Sequence, residues 1–437
     1  MATIIDSNDN LRYEVVQIKN YDNVPIKTVT DPGTGTKPSS LDAFGRLRVS
    51  NPLTLFDSSH RYRDNNLWST ATDSGGEAVF DANEGLVDLN VTTTSGSKVY
   101  RETTKVFSYQ PGKSLLVMDS FVLEPAKANL RQRVGYFGDA NGMYLELDGV
   151  GGSVLSLVER SSVSGAIAET RVTQANWNTD PMNGSGPSGV TLDISKAQIL
   201  WMDIEWLGLG TVRMGFVIDG KFIICHQFHH ANFITSTYIA TASLPLRYEI
   251  ENTGATTSSS TLKQICSTVL SEGGYELRGL QQGIGTPIAT PYNLTLASTY
   301  YPLVSLRLKA SPNRLDGIAI LTALSIMGIS NNAHYNWRIV ASGTTTGGTW
   351  TSAGVDSAVE YNITGTSFTG GRILAQGFLT ASNQAVSSID ILKEALFKFQ
   401  LERDSFTSTP YEITVVAASN VTNANIYAAM DWEECSR

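Results

Sequence analysis

Two acidic side chains separated by one residue are the feature of this sequence most suggestive of chemistry. Asp203 and Glu205 lie in the run Trp201-Met-Asp-Ile-Glu-Trp206, in which residues of different polarity alternate. A period of two is typical of a half-buried β-strand, so we expect Trp201, Asp203 and Glu205 to share one strand face. Two carboxyl groups about 5–5.5 Å apart can act as nucleophile and acid/base in glycoside hydrolysis.

The same run resembles the catalytic strand of concanavalin A-like glucanases, whose pattern is Glu-x-Asp-x-Glu. In that family the first Glu is the nucleophile and the last is the acid/base. Trp201 occupies the first position here. The resemblance therefore implies the fold of these enzymes without their nucleophile, and we predict no catalytic residues and a protein that is not an enzyme.

Aromatic residues make glycan binding an alternative function for the same region. Trp177 and Trp201 can each offer a flat apolar face to a sugar ring. Together with Asp203 and Glu205 they form the predicted glycan-binding residues of a groove that kept the fold without the chemistry. An exposed polar strand face without a ligand is the simpler interpretation.

The clustered histidines His226, His229 and His230 are candidates for a metal site, because neutral imidazole is a common zinc ligand. No acidic residue or cysteine stands at a spacing that would complete such a site. We therefore predict histidines of a surface or an interface, and no metal. The glycine-rich segments 149–152 and 343–348 lack the lysine of a phosphate-binding loop, which favours hairpin loops and no cofactor.

Composition excludes several classes of function. The chain has 437 residues, of which 17% are charged, and its net charge of −9 comes without a long Lys/Arg cluster. Binding to nucleic acid through phosphates is therefore disfavoured. The most apolar run, residues 317–329, is too short to cross a bilayer, so we expect no membrane insertion. Three cysteines without metal-like spacing indicate no disulfide framework.

Short apolar runs with frequent turn residues predict an all-β fold. The clearest hairpin is Val212 to Ile218, then Asp219-Gly220, then Lys221 to Cys225. A chain of this length is expected to form two or three domains. We predict a concanavalin A-like or jelly-roll β-sandwich over residues 61–275. A second, C-terminal β-sandwich over residues 276–437 would mediate assembly or be an exposed module.

Residues 1–60 are predicted to form an extended arm that attaches the protein to a partner. They contain a Pro/Gly/Ser/Thr linker at residues 31–40, which cannot build a core. Such an arm can attach by adding a strand to a neighbouring sheet. Aromatic and Arg residues often dominate interfaces, so the predicted contacts are Phe44, Arg46, Arg48 and Phe56. A strand of the first domain with a flexible lead is the alternative.

Two stretches resemble virion structural proteins of marine and cyanobacterial tailed phages. Leu41-Asp-Ala-Phe-Gly-Arg-Leu-Arg-Val-Ser50 and the residues up to Ser58 resemble their N-terminal signature, and residues 337–371 resemble a C-terminal module. Residues 199–232 resemble their concanavalin A-like middle domain. The resemblance implies a non-enzymatic virion protein, either a head decoration or fibre or a tail or baseplate component.

The expected partners follow from that resemblance. They are other virion proteins and further copies of this chain, because closed homo-oligomers are the commonest assemblies; we expect a trimer, although no residue pattern sets the number. The first residues lack the features of a secretory signal, so we expect synthesis in the cytoplasm of a bacterial host. The alternatives are a carbohydrate-binding adhesin or receptor-binding protein that contacts a host surface glycan and, third, a glycan hydrolase.

Overall fold

The computed structural model describes residues 16–19, 25–28, 52–149, 152–274, 279–381 and 399–436. These residues form β-strands and one short 3-10 helix, so the predicted all-β fold class is confirmed. Within these ranges, no helix has the length and apolarity that a membrane span requires. The first two strands form a separate antiparallel pair: Val16–Lys19 (β1) and Pro25–Thr28 (β2).

The next fifteen strands build the first sandwich, and the 3-10 helix Gln174–Asn176 follows its tenth strand. Their bounds are Leu53–Ser59 (β3), Trp68–Asp73 (β4), Glu77–Asp81 (β5), Leu86–Val91 (β6), Lys98–Thr103 (β7), Ser114–Val122 (β8), Leu130–Phe137 (β9), Gly142–Asp148 (β10), Val154–Ser161 (β11), Ala168–Thr173 (β12), Gln198–Ile204 (β13), Val212–Ile218 (β14), Lys221–Phe228 (β15), Leu246–Asn252 (β16) and Ser260–Glu272 (β17).

Two antiparallel sheets face each other in this sandwich. One has the strand order β12-β11-β10-β9-β16-β7-β4, and the other has the order β15-β14-β13-β8-β17-β6-β5 with β3 also paired to β17. The chain passes repeatedly between the sheets, as in a jelly-roll or concanavalin A-like sandwich. Their inner side chains form one core, in which Trp68 and Tyr248 meet edge to face at 5.6 Å.

Strand β3 corrects the predicted extent of the arm. Residues 53–59 pair with β17 in the eight-stranded sheet and are therefore part of the sandwich. The predicted arm contacts Phe44, Arg46 and Arg48 lie outside the described residues.

The β14–β15 hairpin has the turn that its sequence predicts. Asp219 and Gly220 both have positive φ angles, 51° and 71°, as a two-residue type I′ turn requires. This turn sets the register in which Ile218 pairs with Lys221, and a β-bulge between Met214 and Gly215 then shifts the register so that Arg213 of β14 lies opposite Gln227 of β15.

Ten further strands build the second sandwich. A four-stranded sheet joins β18, β19 and β21 to β27, and a six-stranded sheet has the order β23-β24-β20-β26-β22-β25. The bounds are Leu280–Gly285 (β18), Tyr292–Leu294 (β19), Tyr301–Leu308 (β20), Ile318–Gly328 (β21), His334–Thr346 (β22), Thr351–Ser352 (β23), Val359–Asn362 (β24), Ser367–Thr380 (β25), Glu412–Ser419 (β26) and Ala424–Ser436 (β27).

The second sandwich has its own apolar core and is joined to the first by polar contacts. That core includes Trp432, Tyr335 and Leu306. At the junction, Lys105 Nζ lies 2.9 Å from Glu402 Oε1, and the Tyr411 hydroxyl donates to the Thr104 carbonyl at 3.3 Å. These contacts fix the C-terminal sandwich against the loop that follows β7.

Candidate functional site

Strand β13, which carries the predicted carboxylate pair, lies inside the eight-stranded sheet between β8 and β14. Leu200, Met202 and Ile204 face the core, as the alternation predicts. Asp203 is completely buried on the other face. It forms an ion pair with Arg213, its cross-strand neighbour, and its Oδ1 accepts a hydrogen bond from Ser114 Oγ at 2.5 Å. Asp203 is therefore part of a buried ion pair and is closed to a substrate.

Glu205 lies just beyond the end of β13 and is half-buried. Its main chain joins two loops, because its N–H donates to the Thr211 carbonyl at 3.3 Å and its carbonyl accepts from the Tyr238 hydroxyl at 2.9 Å. Asp203 and Glu205 thus occur in different environments. The structure does not bring them together as an open pair, and the hydrolase alternative has no support at this strand.

Both tryptophans predicted to stack on a sugar are buried, which contradicts that prediction. Trp201 is 2% exposed, lies edge-on against Phe222, and donates its indole N–H to the Ile223 carbonyl at 3.2 Å. Trp177 is 5% exposed and packs against Phe216 in the core. Neither ring presents a face to solvent. The prediction failed because period-two alternation does not reveal which sheet faces are covered.

The three clustered histidines have separate partners. His226 Nδ1 accepts a hydrogen bond from the Asn178 N–H, and burial together with His229 lowers the pKa of His226 to about 4. His229 is exposed, whereas His230 is buried against Glu159. In the ranges given above, no three His, Cys, Asp or Glu side chains are grouped to hold a metal ion.

Phe56, a predicted partner contact, is instead a core residue. Its ring lies 5.9 Å from that of Trp68 and 5.1 Å from that of Phe107. Because β3 pairs with β17, alternation directs Phe56 inward. Its replacement would affect folding rather than attachment, so the prediction for this residue is wrong.

An extensive polar cluster in the described part of the chain was not predicted. It is an ion-pair network on the outer face of the seven-stranded sheet. At its centre, Arg133 donates from Nε to Glu146 at 2.8 Å and from Nη1 to Glu249 at 3.1 Å. Arg247 pairs with Glu249 and, at 2.7 Å, with Glu102. These five side chains, which are all buried, link four adjacent strands.

The network shifts the pKa values of its carboxyl groups in both directions. Burial alone would raise the pKa of Glu249, but Arg247, Lys98 and Arg133 lower it to about 2. Burial dominates at Glu102 and raises its pKa to about 7 despite Arg247. Ionised Glu249 therefore adds to the free energy of unfolding at pH values above its ordinary pKa, and this contribution is lost as the pH falls towards 2.

The sequence contains a signal for this network. Charged or hydroxyl-bearing residues alternate in Arg131-Gln-Arg133, Tyr144-Leu-Glu146 and Arg247-Tyr-Glu-Ile-Glu251. This pattern predicts strands with polar outer faces. It does not reveal their partners, because Arg133 and Glu249 are 116 residues apart along the chain.

The rim of the network is accessible to solvent. Arg171 of β12 is 39% exposed and pairs with Glu146 and Glu169, and Lys98 of β7 is partly exposed beside Glu251. Donors and acceptors therefore alternate across the surface of the sheet. Such a surface can hydrogen-bond a polar, uncharged ligand.

A second unpredicted feature is the open edge of the C-terminal sandwich. Strand β25 is the last strand of the six-stranded sheet, and the described residues place no strand on its outer side. Only Leu379 of its fourteen residues is buried, and Phe378 is 82% exposed. A long, exposed strand edge is a template for pairing with another chain.

No protein family model matches this sequence, and no curated protein matches it. Solved structures similar to about half of the chain include the carbohydrate recognition domain of Emp47p. It is 13% identical with a TM-score of 0.32, and the match covers 51% of this chain and 97% of that domain.

Two further structures have similar values. A GH16 protein of a Bacteroides ovatus mixed-linkage glucan locus, solved with a product, is 11% identical with a TM-score of 0.35, and the match covers 49% of this chain and 99% of that chain. A legume lectin-like domain from Entamoeba histolytica is 8% identical with a TM-score of 0.32, and the match covers 50% and 98%. TM-scores this low support no inference about function.

Proposed function

We propose that this protein is a non-enzymatic structural component of a phage particle. It is made in the cytoplasm of the bacterial host and joins neighbouring virion proteins and further copies of itself. Its N-terminal arm attaches it to the particle, and its C-terminal sandwich contributes a second contact. The resemblance of residues 41–58 to phage virion proteins supports the first contact, and the open edge of β25 supports the second.

The edge of β25 is the observation on which this proposal rests. Phe378 and Ile373 are exposed, and their partners on β22, Asn336 and Val340, lie on either side of Arg338, whose guanidinium is 4.1 Å from the ring centre of Tyr300. Aromatic and Arg side chains dominate many interfaces. The described residues place no strand on the outer side of residues 367–379, so the main chain there can supply hydrogen bonds for strand addition, and these side chains supply the apolar contact.

Introducing lysine on this edge is expected to block assembly without unfolding the protein. In a phage that carries Ile373→Lys and Phe378→Lys, charge on the exposed edge would oppose strand pairing. We expect at least about tenfold less of this protein per particle, which corresponds to about 1.4 kcal/mol of lost binding free energy. Quantitative mass spectrometry of purified particles measures the amount.

Val355→Lys is the matched control, because Val355 is as exposed as Phe378 but lies in a loop outside the strands. It is expected to leave incorporation unchanged. Normal incorporation of the Ile373→Lys, Phe378→Lys variant would show that this edge is not an assembly contact.

A second candidate function is binding of a host glycan, as in an adhesin of the particle. The partly exposed rim of the ion-pair network favours it, because neutral sugars carry hydroxyl groups that both donate and accept hydrogen bonds. Arg171 is on β12 at one end of this sheet, and Lys98 is on β7, one strand from the other end. They would contact the ligand at its edges, while the buried ion pairs hold the sheet face rigid.

Replacing both rim cations tests the glycan function. Lys98→Ala with Arg171→Ala is expected to weaken retention on immobilised host-surface polysaccharide by about tenfold or more, because hydrogen bonds to charged groups contribute about 1.5–3 kcal/mol each. Lys221→Ala is the control, since Lys221 is exposed on the other sheet. Equal retention of the unmodified protein, the Lys98→Ala, Arg171→Ala variant and the Lys221→Ala control would exclude this face as a glycan site.

A further inference from the structure

Two loops close one end of the first sandwich and are joined by hydrogen bonds. The first comprises residues 205–211 and the second residues 229–238. The Tyr238 N–H donates to the Gly208 carbonyl at 3.0 Å, and the Tyr238 hydroxyl donates to the Glu205 carbonyl at 2.9 Å. Gly208 has a φ of +76°, and a Cβ there would lie 2.8 Å from Thr237, so the close approach of the loops requires this glycine.

His230 is the side chain that connects both loops to the sheet. Its ring stacks on Tyr238 with centroids 3.9 Å apart and planes within 5° of parallel. Its Nδ1 contacts the Gly210 carbonyl oxygen, and its Nε2 lies 2.6 Å from Glu159 Oε2 on β11. His230 is buried, and both of these partners belong to the protein.

Both partners of His230 are hydrogen-bond acceptors, which constrains the number of protons in the cluster. A peptide carbonyl can only accept, and an ionised carboxylate can only accept. A neutral imidazole has one N–H and can satisfy only one of them. Both contacts are made when the ring is an imidazolium with two N–H groups, or when the carboxyl group keeps a proton.

We propose that His230 and Glu159 form a pH-dependent latch that holds the two loops against the end of the sandwich. The closed state holds two protons. One is on Nδ1 and is donated to the Gly210 carbonyl, and the other is shared between Nε2 and Glu159. Loss of that proton to solvent leaves two acceptors facing each other, and the contact between the second loop and β11 is lost. The latch is therefore closed at low pH and opens as the pH rises.

Other titratable groups around the ring come from each element that contacts it. The chain neighbour His229 is exposed, and Glu205 belongs to the first loop. The nearby hydroxyl groups stay protonated in this pH range, because burial raises the pKa of Tyr109 to about 12 and that of Tyr238 well above its ordinary value. The full set of titratable groups near the ring is Glu159, Glu205, His229, Tyr109, Tyr136 and Tyr238.

The latch controls an apolar surface. The second loop exposes Phe233 and Ile234, and the first exposes Leu207 and Leu209. Because Tyr238 and His230 fix both loops, opening would change how these four side chains are presented to solvent. The proposal concerns this end of the sandwich alone and does not depend on the function proposed above.

Hydrogen exchange of the full chain tests the latch. After correction for intrinsic exchange, peptides covering residues 205–211 and 229–238 are expected to exchange about tenfold faster at about pH 8 than at about pH 5, the range in which histidine changes charge. A peptide from β8 is expected to show no such change. Equal protection of the loop peptides at both pH values would overturn the proposal.

Glu159→Gln distinguishes the latch from a general effect of pH. Its amide can donate to a neutral imidazole or accept from an imidazolium, so loop protection is expected to become independent of pH. His229→Gln, beside the latch but exposed, is expected to keep the pH response of the unmodified chain. A Glu159→Gln protein with an unchanged pH response would also overturn the proposal, and the unmodified chain alone suffices as a test if this variant does not fold.

Discussion

Replacing Arg133 with alanine is expected to lower the free energy of unfolding by about 3–5 kcal/mol, the typical cost of removing one partner from a buried ion pair. Among the described residues, Arg133 alone donates hydrogen bonds to both Glu146 and Glu249. Its loss leaves two buried carboxylates close together without their shared counter-charge. Denaturant unfolding monitored by circular dichroism measures the change.

Arg171→Ala is the matched control for this experiment. Arg171 also pairs with Glu146, but it is partly exposed at the edge of the sheet. Exposed ion pairs contribute about 0–1 kcal/mol, so we expect a loss within that range. If Arg133→Ala cost no more than Arg171→Ala, the network would not be a stabilising element of this sheet.

Asp203→Asn is expected to destabilise the protein by about 3–5 kcal/mol, because it removes the charged partner of a buried ion pair with Arg213. The Asp203→Ala and Arg213→Ala changes are expected to be non-additive by about 0.5–3 kcal/mol in a double-mutant cycle, since the two side chains contact each other. Thermal and denaturant unfolding of the four proteins measure the coupling.

This result also bears on the enzyme alternative. A catalytic Asp203 would tolerate conversion to Asn with little change in stability, whereas a structural Asp203 would not. Asp219→Asn, in the exposed β14–β15 turn, is the matched control, because Asn also tolerates a positive φ. An Asp203→Asn protein as stable as this control would contradict the structural role of the ion pair.

The sequence predicted local structure better than long-range contacts. The Asp219-Gly220 turn and the inward alternation of Leu200, Met202 and Ile204 on β13 were both predicted, because they depend on residues close together in the chain. The outer face of β13 was misinterpreted. Alternation groups Trp201 with Asp203, but their burial depends on Phe222 and Arg213 from the following hairpin.

The two features on which the proposed functions depend required the sheet topology. Glu249 meets Arg133 only because β16 lies beside β9, although most of the first sandwich separates the two strands in sequence. Likewise, nothing in residues 367–380 shows that their strand lies at the end of a sheet. Phe56 was assigned to the arm for the same reason, since its pairing partner β17 follows about 200 residues later.

Cryo-electron microscopy of the purified particle tests the central claim most directly. The account predicts density for both sandwiches, with a strand from a neighbouring subunit added to the edge of β25 and residues 1–51 lying on an adjacent protein. Absence of this chain from the particle would contradict its role as a virion component and leave glycan binding as the function to pursue.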